Sequence, residues 1–292
     1  MTPSGSISER SNTLSRLLER TSKALGIAAL LILLGGCQAA PKAPLQAKEY
    51  PQRIISLLPS GTELIYAVGQ GHKVVGVTLN DNFPPEVAEL PKVGDQTIDL
   101  EKVLALEPDL VVLDASFNKN KASLERLGIN YLELNCQRLH DIAPAMRELG
   151  RVLGCQEQAE EASKAFKAEL DSFVPLQKKQ PVFVEIWSDP LMTVGSETLV
   201  DDILNLVGVE NSYHDQTGYF QVDPEDVVSR QPTLIVFPRP EGLAEKSRAL
   251  QLLEQVGLSP RIIVVDPDLI VRPSPRILTG AANLKNSIMR LD

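Results

Sequence analysis

Apolar residues fall along this chain in two rhythms that alternate. Residues 54–58 (IISLL) and 74–78 (VVGVT) are short apolar runs, the form of a strand buried in a parallel sheet. Between them Pro59 breaks the run, and Ser60 followed three residues later by Glu63 reads as a capping box that opens a helix to about Gly69. A loop over 79–85 follows, then a short helix at 100–106, a strand at 109–113, a helix around Leu124, a strand at 130–134 and a helix at 141–153. Strand and helix signals that take turns in this way predict an α/β unit with a mainly parallel sheet.

Residues 156–173 contain no Gly or Pro, and Ala159, Ala162, Phe166, Leu170 and Phe173 form one apolar stripe at helical spacing. Pro175 and the sequence KKQP end it, so a stiff connecting helix is expected here. The alternation then resumes. Residues 182–186 read as a strand, Ser196 as the cap of a helix to about Val207 with Gly208 as its stop, and 224–230 as a helix. Residues 234–237 and 262–265 read as strands on either side of a helix marked by Leu243, Leu250, Leu253 and Val256. Ser274 and Pro275 are placed to cap and open a last helix whose buried face is Ile277, Leu278, Ala281, Leu284 and Ile288.

One unit occurs in both halves. Residues 98–112 (IDLEKVLALEPDLVV) and 222–236 (VDPEDVVSRQPTLIV) lie 124 residues apart and coincide at six positions, among them Asp99/Asp223, Glu101/Glu225 and Pro108/Pro232. Each copy reads as a capping Asp, a short helix, a Pro that stops it and an apolar strand. A unit used once early and once late predicts two similar lobes rather than a solenoid of adjacent repeats, and a cleft between lobes is a natural ligand site.

The N-terminus predicts where the protein works. Arg10, Arg16, Arg20 and Lys23 precede an apolar run over 24–34, shorter than the roughly 20 residues a membrane span needs. The run fits the core of a secretory signal, and it ends in Leu34-Gly35-Gly36-Cys37, which resembles the cleavage and lipidation site of lipoproteins. The expectation is a signal peptide over 1–36, a lipidated Cys37 and a flexible Ala/Pro/Gln-rich tether to residue 51. The chain carries a net charge of −9, and the residues before Cys37 are net basic, which leaves the exported part more acidic still. Nucleic-acid binding, which needs a basic face, is therefore not expected. Cys136 and Cys155 would lie at opposite ends of the helix at 141–153, about 20 Å apart, so free thiols are expected despite the oxidising compartment.

The segments RIISLLPSGTELIYAVG, VGV…FPPEV, DLEKVLALEPDLVV, TVGSETLVDDILNLVGVEN, QVDPEDV and RPSPRI, in this order over residues 52–292, resemble the substrate-binding proteins of ABC importers for vitamin B12, ferric siderophores and haem. They are most similar to the vitamin B12-binding branch. The resemblance implies two mainly parallel α/β lobes (residues 52–154 and 181–292) joined by one long rigid helix within 155–180, with the ligand cleft between them. It implies a small closing motion, delivery of the ligand to a permease dimer, and no covalent chemistry. It also implies that an acidic residue on each lobe docks on permease arginines, which here are Glu101 and Glu225. The competing reading is that each Glu only complements the dipole of its helix.

Loops beyond the carboxyl ends of strands nominate the ligand contacts. In the first lobe these are Ser60, Thr62, Asn80, Phe83 and Ser116, and in the second Trp187, Tyr219, Phe220, Arg239, Asp268 and Arg272. Tyr219, Asp268 and Arg272 fall where the resemblance places contacts. Aromatic residues make up only 4% of the chain, and the first-lobe loops lack the bulky aromatics usual in the vitamin B12 branch, so a siderophore or haem in the same role stays open. An interaction lipoprotein without a small ligand is the third reading. His72, His140 and His214 stand in no nucleophile elbow or metal spacing, so neither an enzyme, a cofactor nor a metal site is expected. The resulting expectation is a monomeric, exported, lipid-anchored receptor that touches the membrane only through its acyl chains.

Overall fold

The computed structural model describes residues 50–95, 97–115, 118–177, 179–239 and 247–291. The leader, Cys37 and the tether, as well as Ser116 and the 240–246 segment with Leu243, lie outside the described residues. Among the described residues no helix is long and apolar enough to cross a membrane.

The first lobe contains β1 (Ile54–Ser56), α1 (Pro59–Ala67), β2 (Val74–Gly76), α2 (Leu100–Ala105), β3 (Leu110–Asp114), α3 (Asn118–Leu127) and β4 (Tyr131–Leu134). Its sheet is parallel in the order β2-β1-β3-β4. Next come α4 (Ile142–Leu153) and α5 (Gln156–Asp171). The second lobe contains β5 (Pro181–Val184), β6 (Trp187–Ser188), β7 (Leu191–Val194), α6 (Leu199–Val207), β8 (Glu210–Asn211) and β9 (Tyr219–Gln221). It continues with α7 (Pro224–Arg230), β10 (Leu234–Pro238), α8 (Arg248–Gln255), β11 (Arg261–Val265) and α9 (Ile277–Leu291). Its main sheet is also parallel, in the order β11-β10-β5-β8.

The two sheet orders superpose by role. In each lobe the first strand (β1, β5) sits beside the repeat-unit strand (β3, β10), which is flanked in turn by the lobe's last strand (β4, β11). The repeated sequence therefore marks a real structural equivalence. Its helix stop is shared too: Glu107 and Gln231, the residues before Pro108 and Pro232, adopt left-handed φ values of +46° and +48°. The caps are not shared. The Asp99 side chain accepts from the Glu101 and Lys102 amides, whereas Asp223 makes no such bond and Pro224 opens α7 directly.

Side chains alternate across each sheet as the pleat requires. Ile55, Val111 and Leu113 face a cluster private to the first lobe, and Phe183, Ile235 and Phe237 one private to the second. Ile54, Val112, Val182, Val184, Leu234 and Val236 face the opposite way, into one core that both lobes share with α1, α4, α5, α6 and α9. The lobes are thus joined by buried apolar surface as well as by chain.

Three helix starts differ from expectation. Pro59 does not break the chain but occupies the first turn of α1, with Leu58 at the cap, so Ser60 is already helical and Glu63 makes no capping box. Thr198, not Ser196, caps α6 by accepting from the Asp201 amide. Ser274 spends its hydroxyl on Glu63 rather than on the start of α9, which begins at Ile277. The connecting helix is also shorter than its apolar stripe suggests, 16 residues. It lies back along α4, where Gly150 makes room because a Cβ there would come within 2.3 Å of the Ala159 Cβ. A further sheet, β6-β7-β9, is antiparallel and short, and was not expected. Cys136 and Cys155 are both buried free thiols.

Candidate ligand cleft

The first-lobe wall is built at the carboxyl ends of parallel strands, as expected for an open α/β sheet. Leu58, Pro59 and Ser60 follow β1, Asp114 ends β3, and Cys136 and Gln137 follow β4. The facing wall comes from the start of α6 (Glu197, Thr198, Leu199), from Gly218 and Tyr219 at β9, and from residues 271–273 ahead of α9. Together they enclose an open cavity of about 460 Å³, within the usual size range of small-molecule sites.

A polar latch ties the lobes together beside this cavity. Glu63 on α1 is only 4% exposed. It accepts a two-point contact from the Arg276 guanidinium (2.7 and 3.0 Å), a bond from the Ser274 hydroxyl (2.5 Å) and a longer one from Arg272 (3.3 Å). Arg272 also donates to Asn82 Oδ1 (2.7 Å) and to the Asn80 carbonyl (2.9 Å), and pairs with Asp268 (2.8 Å). Asn82 Nδ2 donates to Asp268 (2.6 Å), and Arg276 lies over the Phe83 ring at 3.8 Å. A second tie joins Arg138 to Asp202 in a two-point pair of 2.8 and 2.5 Å, which raises the guanidinium pKa through that bond. Buried charges held this way are satisfied, and removing one partner leaves the other stranded.

The nominated residues divide accordingly. Ser60, Tyr219 and Arg272 line the cavity. Asn80, Phe83 and Asp268 belong to the latch rather than to the lining, and Arg272 belongs to both. Four others lie away from the lining. Thr62 is fully buried in α1, with its hydroxyl on the Leu58 carbonyl. Phe220 stands edge-on to the Tyr213 ring at 5.7 Å, against the second lobe's private core. Arg239 donates to the fully buried Glu185 and to Ser188 (each 2.8 Å) and stacks on Phe237. Trp187 is 60% exposed and donates to the Asp189 carbonyl. It pairs with Met192, which pairs with Gln221, while Tyr219 pairs with Val194 two residues further along the small sheet. Trp187 therefore stands at the other end of that sheet from Tyr219.

Glu63, Asp114, Cys136 and Glu197 were not nominated. Position relative to a strand end was the available signal for Asp114 and Cys136; Glu63 carried none beyond its misleading likeness to a cap. Desolvation pushes the Cys136 thiol up to about 12, with the Asp141 and Asp114 carboxylates adding to the shift. Desolvation likewise raises the Tyr219 phenol. Glu101 and Glu225 sit in the exposed first turns of α2 and α7, one on each lobe. Among the described residues no group of three or more His, Cys, Asp or Glu side chains could hold a metal ion.

Comparison with known proteins fits this architecture. Residues 54–260 match the family described as "Periplasmic binding protein". An ABC transporter substrate-binding lipoprotein of Bacillus subtilis, YvrC, is 34% identical over 82% of this chain and 81% of its own length. The vitamin B12-binding protein of Pectobacterium atrosepticum is 32% identical over 82% of this chain and 90% of its own. The periplasmic haem-binding protein RhuT of Roseiflexus sp. RS-1 superposes with a TM-score of 0.70 at 25% identity, over 81% of this chain and 97% of that one. Two parallel α/β lobes facing across a cleft, together with these matches, identify the chain as a member of the periplasmic binding protein family, a non-enzymatic solute-binding component of an ABC importer.

Proposed function

We propose that this protein is a lipid-anchored extracytoplasmic receptor that captures a corrinoid and hands it to the permease dimer of its importer. The observation that carries the reading is the cleft itself: an open cavity of small-molecule size beside a polar latch, with Ser60, Tyr219 and Arg272 on its walls. The vitamin B12-binding relatives support the choice of a corrinoid. Docking is assigned to the exposed Glu101 and Glu225, and anchoring to Cys37. In this reading the ligand is held by polar groups and one aromatic ring rather than stacked between several.

A second reading, haem, is favoured by Tyr219, since a phenolate can ligate haem iron.

Calorimetric titration of the protein with cyanocobalamin, haemin and ferric siderophores tests the assignment. Saturable binding of the corrinoid at micromolar affinity or better is the expected result; haemin or a siderophore alone binding would move the ligand, and no binding at all would remove the receptor reading. Trp187 fluorescence is a poor substitute, because the ring stands away from the cleft lining. For the anchor, Cys37→Ser should shift the protein from the membrane fraction to the soluble one, and retention in the membrane would refute lipidation there.

A further inference from the structure

Three residues other than glycine hold left-handed backbone among the described residues: Glu107, Gln231 and Glu197. The first two precede prolines and end the equivalent repeat helices, so the fold explains them. Glu197, at φ +60°, precedes no proline and ends no helix; it is an exposed residue on the cleft wall. Its neighbours fix it there. The Gly195 amide donates to the Gly218 carbonyl (2.8 Å), the Ser196 amide to the Gln216 carbonyl (2.7 Å), and the Thr198 hydroxyl to the Gly195 carbonyl (2.9 Å). A glycine at 197 would hold this turn without strain, yet the position carries a carboxylate, and strained backbone of this kind concentrates at ligand sites.

The charge around it is one-sided. Arg272, the cation of the described lining, is already matched by Asp268 and Glu63. Arg138, close enough to sense the Glu197 charge, is taken by Asp202. Glu197 therefore faces the cleft as a carboxylate that neither arginine holds in a hydrogen bond or ion pair, with Arg138 acting on it only at longer range.

Resting on the receptor reading above, we propose that Glu197 contacts the ligand and that the cleft selects ligands of zero or positive net charge. A corrinoid meets this condition, since its peripheral amides donate N–H bonds to a carboxylate. So does a trihydroxamate ferric chelate. Haem, with two propionates, and a tricatecholate ferric chelate, with three negative charges, do not.

The test titrates the protein and its Glu197→Gln and Glu197→Gly variants with aquocyanocobinamide, cyanocobalamin, ferrioxamine B, haemin and ferric enterobactin, and records thermal melting of each variant. The parent protein should bind one or more of the first three and bind the two anions at least tenfold more weakly. Glu197→Gln should weaken a cationic ligand about tenfold, as loss of a charge-assisted bond does, and should narrow the gap to the anions. Glu197→Gly should melt higher than the parent while binding no better than Glu197→Gln, a split that a purely structural role for Glu197 does not produce. Haemin or ferric enterobactin binding as tightly as the others, or unchanged affinities in both variants, overturns the charge rule and leaves the receptor reading standing. Failure of all five ligands to bind removes the receptor reading and the rule with it.

Discussion

Glu63 shows how a single side chain can be misread and then explain a site. Its spacing from Ser60 matches a capping box, but Pro59 takes the first helical position and carries the carboxylate one turn deeper, where it meets Arg272, Ser274 and Arg276 of the other lobe. Sequence spacing reports neighbours along one helix; it carries no information on partners 209 to 213 residues away. Replacing Glu63 by Gln keeps the shape and strands the Arg276 guanidinium, while Arg272 keeps Asp268, so we expect a loss of about 3 kcal/mol and a melting point lower by roughly 10 °C. A calorimetric scan within 2 °C of the parent would show the latch to be dispensable. Cys136 gives a pH-dependent prediction. Its pKa is raised from 9.0 to about 12, so the unfolded chain ionises first as the pH rises. The thiol's contribution to stability is thus complete below pH 9 and declines between 9 and about 12. The parent should lose more stability in urea between pH 8 and 10.5 than Cys136→Ala does; equal losses would place the thiol in a more polar setting than its burial implies.

At the level of strands and helices, long and strongly periodic segments were readable and short or polar ones were not. The runs that became β1, β3, β5 and β10 are buried on both faces, so they appear in the sequence as unbroken apolar stretches. The repeat unit correctly pointed to two sheets of the same order. The β6-β7-β9 sheet was missed because its strands are two to four residues long and its members include Trp187, Ser188, Tyr219 and Gln221, which alternate too briefly to give a signal. Tyr219 was nominated and lines the cleft, whereas Trp187 was nominated and does not: both are aromatic, both lie in that sheet, and only register separates them. Of the ten nominated contacts among the described residues, seven lie off the cleft lining, for a related reason. A residue after a strand can turn toward the cleft, toward the other lobe or back onto its own core, and the choice is made by tertiary contacts.

For the assembled receptor, the paired Glu101 and Glu225 make the docking proposal testable apart from ligand binding, since both lie on exposed helix starts outside the cleft lining. Reversing both to Lys should abolish stimulation of the cognate importer's ATPase by the receptor in proteoliposomes while the ligand affinity stays within twofold, as rim charges govern orientation and on-rate. A fall in affinity of comparable size would sink the docking role. The shared core and the Glu63 latch join the two lobes. On the proposed docking scheme, the permease then meets the same pair of carboxylates whether the cleft is full or empty, and contact at the rim carries no report of occupancy. Empty copies become competitors of loaded ones. Uptake at a fixed, limiting supply of ligand should therefore rise with receptor number only until the ligand is fully bound, and fall beyond that point as vacant molecules occupy the transporter.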